Sequence, residues 1–147
     1  MKNKKFSSIE NIINIAKKGD MYILVDDKNR ENEGDLVIPA LNASQKNINF
    51  MAKYGRGLIC LSLTSKQAKK LNLSLMSPVN KSRNQTAFTI SIEARKGVTT
   101  GISAKDRSIT IRTAIKPNVK KNEIVSPGHI FPIISKDGGV LVRAGHT

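Results

Sequence analysis

Met21-Tyr22-Ile23-Leu24-Val25, followed at once by Asp26-Asp27-Lys28-Asn29-Arg30-Glu31-Asn32-Glu33-Gly34-Asp35, puts five carboxylates within ten positions of a chain whose formal charge is +14. Carboxylates crowded together repel unless a cation offsets them, so the run reads as an open solvated loop or as a site that holds a metal ion. The apolar residues Met21 to Val25 predict a short buried strand that delivers its carboxyl end into the acidic loop. Ligand sites form beyond the carboxyl ends of strands in open sheets that include helices, which favours the site.

Outward from this stretch, Ser7 to Lys18 predicts a helix. Ser7 and Glu10 have capping-box spacing, Ile9, Ile12, Ile13 and Ala16 share a face, and Gly19 suits the stop. A second strand is expected near Leu36 to Ala40, then a helix capped by Ser44 and ended by Gly55. Leu58 to Leu63, apolar except for Ser62, predicts a fully buried strand. Thr64 or Ser65 caps a short helix through Leu71, and Ser77 to Gln85 reads as a loop. Ala87 to Ala94 alternates, with Phe88, Ile90 and Ile92 on one face of a half-exposed strand.

Gly97 to Gly101 is a turn containing Thr99 and Thr100, and Ser103 with Asp106 starts a helix that runs towards Lys116 and stops at Pro117. Ile130 to Ile134 predicts another strand, and Lys136 to Gly139 a tight turn into Val140 to Val142. No repeat or linker interrupts the 147 residues, so one domain is expected, of the α+β class, with a mixed sheet covered by helices.

No apolar stretch is long enough to cross a membrane, and the basic start Met1 to Lys5 leads into helically spaced residues instead of a signal-peptide core. A cytoplasmic protein is expected, in keeping with the single Cys60, which has no partner for an internal disulfide. The excess charge is mostly scattered lysine, with no Trp and 4% aromatic residues, so a platform for stacking bases has little to be built from. The charge reads as a solvated basic surface that attracts anionic substrates, not as a dedicated nucleic-acid interface.

The two histidines both follow glycine, in Pro127-Gly128-His129 and in Arg143-Ala144-Gly145-His146-Thr147. A lone histidine is more often structural than catalytic, but glycine lets the backbone approach a ligand and both lie beside predicted strand ends. Arg143 and Thr147 flank His146 with a donor fork and a hydroxyl, an arrangement suited to phosphate if a helix begins there. Arg30 either neutralises its acidic neighbours or holds an anionic, polyhydroxylated substrate. Cys60, in an apolar strand, reads first as a buried structural thiol.

Taken in order, Asp26-Asp27 through Asp35, Gly97-Val98-Thr99-Thr100-Gly101 with Asp106-Arg107, Pro127-Gly128-His129 with Phe131-Pro132, and Gly138-Gly139-Val140-Leu141 into Gly145-His146-Thr147 resemble 3,4-dihydroxy-2-butanone 4-phosphate synthase of riboflavin biosynthesis. The resemblance covers almost the whole chain. It implies a carbon-carbon lyase that converts ribulose 5-phosphate to 3,4-dihydroxy-2-butanone 4-phosphate and formate with Mg²⁺, or Mn²⁺ in its place. It also implies a three-layer fold with a mixed twisted sheet, and an active site at a homodimer interface.

On this resemblance Glu31 and His146 are the metal ligands. Arg30, Glu31, Asp35, Arg143, Ala144, Gly145, His146 and Thr147 bind substrate, and His129, Glu33, Asp35 and Cys60 are the catalytic or site-lining candidates. Enolising a ketose needs a base near a carbon-bound proton and a cation on the adjacent oxygens, which a carboxylate loop facing two histidines can supply. Family members continue past the Gly-His-Thr segment into a helix and strand with a further catalytic glutamate. The chain is therefore expected to be C-terminally incomplete, and some relatives fuse this domain to a GTP cyclohydrolase II domain. Competing classes are an inactive fragment that keeps only the dimer interface and a basic RNA-binding module, whose phosphates the carboxylate loop would repel.

Overall fold

In the computed structural model, which describes residues 6–147, a hydroxyl side chain starts each α-helix; the basic start Met1 to Lys5 lies outside the described residues. Ser8 caps α1 (Ile9–Lys18) by accepting from Asn11 N, and Ser44 caps α2 (Gln45–Phe50) in the same way through Asn47 N. Thr64 accepts from Gln67 N at the head of α3 (Ser65–Lys70), and Ser103 from Asp106 N at the head of α4 (Ala104–Ala114). Each oxygen satisfies an amide that has no partner within its helix. Gly19 ends α1 at φ 84° with its N–H on Ala16 O, a left-handed stop that glycine adopts without a Cβ penalty.

Three strands form a mixed sheet in the order β3 (Cys60–Leu63), β5 (Ile124–Ile134), β4 (Ile92–Ala94). β3 runs parallel to β5 with Cys60 opposite Phe131, and β4 runs antiparallel to it. The core lies where α2 and α4 meet this sheet, with Ile48, Leu61, Leu63, Ile92, Ile111, Ala114 and Ile130 all buried. Mixed strands with helices packed on them make the expected α+β fold. A separate two-stranded ribbon, β1 (Tyr22–Val25) against β2 (Gly34–Val37), pairs Val25 with Gly34 and so closes the acidic loop at its base.

β5 carries a wide bulge. Ile92 faces Ile130, but the next residue of β4, Glu93, faces Val125, so residues 126–129 stand out of the ladder. The bulge is fastened down by Ser91, whose carbonyl accepts from Ser126 Oγ at 2.6 Å and whose Oγ accepts from Gly128 N at 3.1 Å. A Cβ on Gly128 would stand 2.1 Å from Ile92 O, so only glycine lets the bulge lie this close to β4.

Several sequence expectations give way here, each to packing. Met21 to Val25 is not a buried strand, because β1 belongs to the ribbon and leaves Ile23 and Val25 exposed. Half of the apolar face of α1 is likewise uncovered, with Ile9 75% and Ile13 47% exposed while Ile12 and Ala16 are half-buried. Leu58 to Leu63 is not buried throughout: Leu61 and Leu63 point into the core while Leu58, Cys60 and Ser62 are exposed, the alternation of a strand covered on one face.

The helix after Ser44 changes pitch to a π-helical turn over Met51–Gly55. Residues 87–94 are a strand only at β4, with bridges from Phe88 and Thr89, and fully buried Thr89 breaks the expected apolar alternation. Val140 to Val142 makes no strand. It joins a single 3₁₀ turn, Gly139–Leu141, and lies exposed.

Candidate active site

Asp26 organises the acidic loop. Its carboxylate accepts from Glu33 N at 2.9 Å, Glu31 N at 3.1 Å and Arg30 Nη1 at 2.7 Å, so one side chain that is 6% exposed ties together three later residues. Removal from water pushes the Asp26 carboxyl up, but the amides of Glu33 and Glu31 and the Arg30 guanidinium more than offset this and hold its pKa at about 2. Because the folded value lies below the ordinary 3.8, this anchoring is complete above about pH 4 and is lost as pH falls through about 2. Amide exchange at Glu31 and Glu33 is expected to quicken over that window in step with release of the loop, and unchanged protection down to pH 2 would contradict the anchor.

Arg30 does take the neutralising role, donating also to Glu31 Oε2 at 2.5 Å. Its charge is held more firmly by the hydrogen bond to Asp26, the main cause of a pKa raised above the usual guanidinium value. Glu31 Oε1 accepts from the amide of Asn84, and Arg143 Nη2 donates to Asn84 O at 2.6 Å. Asn84 therefore joins the acidic loop to the final segment. Nothing in the polar stretch Ser77 to Gln85 marked it out.

The final segment comes back to the loop through His146. Its Nδ1 lies 2.6 Å from Asp35 Oδ2, and since a carboxylate only accepts, Nδ1–H donates. In the neutral ring this leaves the lone pair on Nε2, which is buried with no hydrogen-bond partner. An imidazole oriented by a carboxylate, with its other nitrogen buried and bare, has the arrangement of a metal-binding histidine. Thr147 O accepts from Ser62 Oγ at 2.8 Å, fixing the segment against β3. Residues 143–147 are irregular within the described residues.

These groups line one cavity of 640 Å³, to which Arg30, Glu31, Glu33, Asp35, Arg143, His146 and Thr147 all contribute. Cys60 also lines it, at an exposed position in place of the buried one expected, and crowding by protein atoms and by the Asp35 carboxylate pushes its thiol up to about 11. At neutral pH it is a thiol and a poor nucleophile. Gly145 sits beside both arginines: a Cβ there would stand 3.0 Å from Arg143 Nη1 and 3.1 Å from Arg30 Nη2. Ala144 is exposed and outside the lining. Among the described residues no three His, Cys, Asp or Glu side chains converge as a ready metal cage, so protein donors alone do not fill a coordination shell.

His129 is elsewhere. The expected loop facing two histidines faces only His146, because the β5 bulge turns His129 onto Glu93, with Nδ1 2.9 Å from Oε2. Glu93 was missed in the sequence, because an acid between Ile92 and Ala94 falls on the outward face of a strand read as half-exposed.

Residues 10–147 match the family model for 3,4-dihydroxy-2-butanone 4-phosphate synthase. The chain belongs to the 3,4-dihydroxy-2-butanone 4-phosphate synthase family. The riboflavin biosynthesis protein RibBA of Aquifex aeolicus is 52% identical over 145 residues, covering 97% of this chain and 36% of its own length. A crystal structure of a synthase of this family in complex with two magnesium ions superposes with a TM-score of 0.93 at 37% identity, covering 96% of this chain and 66% of that one. A two-domain synthase from A. baumannii gives 0.91 at 46% identity, over 95% of this chain and 41% of its own. The synthase-family chain thus spans 36–39% of the length of the curated relatives it matches most strongly. Among its described residues no helix is long and apolar enough to cross a membrane.

Proposed function

We propose that the protein converts D-ribulose 5-phosphate to L-3,4-dihydroxy-2-butanone 4-phosphate and formate, a carbon-carbon lyase reaction assisted by Mg²⁺ or Mn²⁺ in riboflavin biosynthesis, with residues 1–147 serving as its synthase domain. The observation that carries this reading is the bare, buried Nε2 of His146, oriented by Asp35 in the cavity that the acidic loop lines. Glu31 and His146 would hold the ion, leaving most of its shell to water and substrate oxygens, as Mg²⁺ commonly requires. When bound, the ion supplies positive charge to the oxygens on which negative charge develops.

The chain's own groups do the rest. Arg30 and Arg143 bring two guanidinium groups to the cavity, and the lack of a side chain at Gly145 lets both pack close to its backbone, where they can together meet a phosphate. Asp35 keeps the His146 ring fixed, and Glu33 and Asp35 place carboxylates at the cavity for proton transfer. A homodimer would cover the apolar residues Ile9, Ile13, Ile23 and Val25 that this fold leaves exposed. It would also give His129, held away from its own chain's cavity, a second cavity to serve. The A. baumannii relative has two domains, and a GTP cyclohydrolase II domain is the proposed companion in the whole protein.

Titrating the protein with Mn²⁺ by calorimetry tests the metal assignment. Binding is expected, and His146→Ala should weaken it at least tenfold; equal affinity in the variant would overturn it. Arg143→Ala should raise KM for the sugar phosphate by one to two decades, since a charge-assisted contact to phosphate contributes roughly 1.5 to 3 kcal/mol. The effect should shrink for an unphosphorylated analogue, and an equal loss with both substrates would mean that Arg143 only fastens Asn84.

A further inference from the structure

Outside the cavity, the carboxylate of Glu93 is confined between a histidine and a close stretch of backbone. Its Oε2 lies 2.9 Å from His129 Nδ1, and on its other flank the backbone of Gly101 comes so near that a Cβ there would stand 1.8 Å from the same oxygen. Gly101 itself is held by its N–H on Asp106 Oδ2 at 3.1 Å, at the head of α4. The histidine side is equally constrained, because the bulge of residues 126–129 is pinned to Ser91 by two hydrogen bonds and Gly128 rests on Ile92 O. The carboxylate is 17% exposed and the imidazole 42%, so the pair is closed at the glutamate and open at the ring.

We propose that Glu93 is the positioning residue for His129. A carboxylate at Nδ1 accepts Nδ1–H, which selects the tautomer whose Nε2 carries the lone pair and aims that edge away from the sheet. When Nε2 takes a proton from a substrate C–H or O–H bond, the resulting imidazolium lies against a carboxylate that is already in place. The proton is returned from the same atom, leaving the pair unchanged. The bulge in β5 is thus the device that brings a strand histidine onto a carboxylate of the neighbouring strand.

The inference rests on His129 acting in the proposed reaction, and the test separates the two. With ¹⁵N-labelled histidine, only two rings give signals, and His129→Asn assigns them. Neutral His129 is expected to be protonated at Nδ1 in the native protein and to move towards the Nε2–H form in Glu93→Ala. In the whole protein the same variant should lower kcat about a hundredfold, within the range of a general acid-base contribution, with KM changed less than about twofold. Glu93→Asp should recover part of both. Should Glu93→Ala not fold, Glu93→Gln reads the same two quantities.

An unchanged tautomer, or an altered tautomer with native kcat, would overturn the positioning role. Native turnover in His129→Asn would instead remove His129 from the reaction. Loss of turnover in His129→Asn with native turnover in Glu93→Ala would leave His129 in place and dismiss Glu93.

Discussion

Glu31→Gln is expected to lower Mg²⁺-dependent turnover about a thousandfold while leaving the far-ultraviolet circular dichroism unchanged. An amide offers the ion a neutral oxygen in place of a charged one, and a metal contributes several kcal/mol to a transition state that gathers negative charge. A thousandfold corresponds to roughly 4 kcal/mol. The substitution turns one of the two oxygens, which now accept from Arg30 Nη1 and from the Asn84 amide, into an NH₂ donor, but Asp26 still holds that guanidinium and the amides of residues 31 and 33. The loop therefore keeps its shape and only the charge changes. Formate release and dichroism measured on the same sample decide it: a native rate would remove Glu31 from the metal site, and a collapsed spectrum would make the residue structural.

Gly128→Ala should cost about 3 kcal/mol of stability, the upper end of what forcing extra atoms into a packed interior costs. The obstacle is backbone, Ile92 O at 2.1 Å and Glu93 N at 2.5 Å from the new carbon, and backbone paired in β4 has little room to retreat. Gly57→Ala is the control, because its added methyl would meet nothing nearer than 3.9 Å, and it should stay within about 0.5 kcal/mol of the native protein. Urea unfolding of both variants compares them directly. Equal midpoints would show that the bulge is free to lift, and the placement of His129 on Glu93 would then lose its structural basis.

What the sequence made legible followed from local chemistry. Hydroxyls at positions 44, 64 and 103 announced three helix starts, and Gly19 and Pro117 marked where helices had to end. The acidic loop was legible because its carboxylates needed a cation, and the segment Arg143 to Thr147 because it combined a histidine with a donor fork. What was not legible depended on distant packing. Whether Ile9, Ile13, Ile23 and Val25 are buried is decided by the surface opposite them, not by their own spacing. The parallel pairing of β3 with β5 brings positions 71 residues apart side by side, Cys60 with Phe131, which no local pattern encodes. Asn84 meets Glu31 and Arg143, and Glu93 meets His129, each from a distant part of the chain.

The most direct test is to incubate the protein with ribulose 5-phosphate and Mg²⁺ and follow formate and the four-carbon sugar phosphate by proton NMR. The two products are expected in equal amounts, with production stopped by a chelator and restored by added Mg²⁺. Formate that continues undiminished in the chelator, or no formate with either Mg²⁺ or Mn²⁺ present, would contradict the proposed reaction.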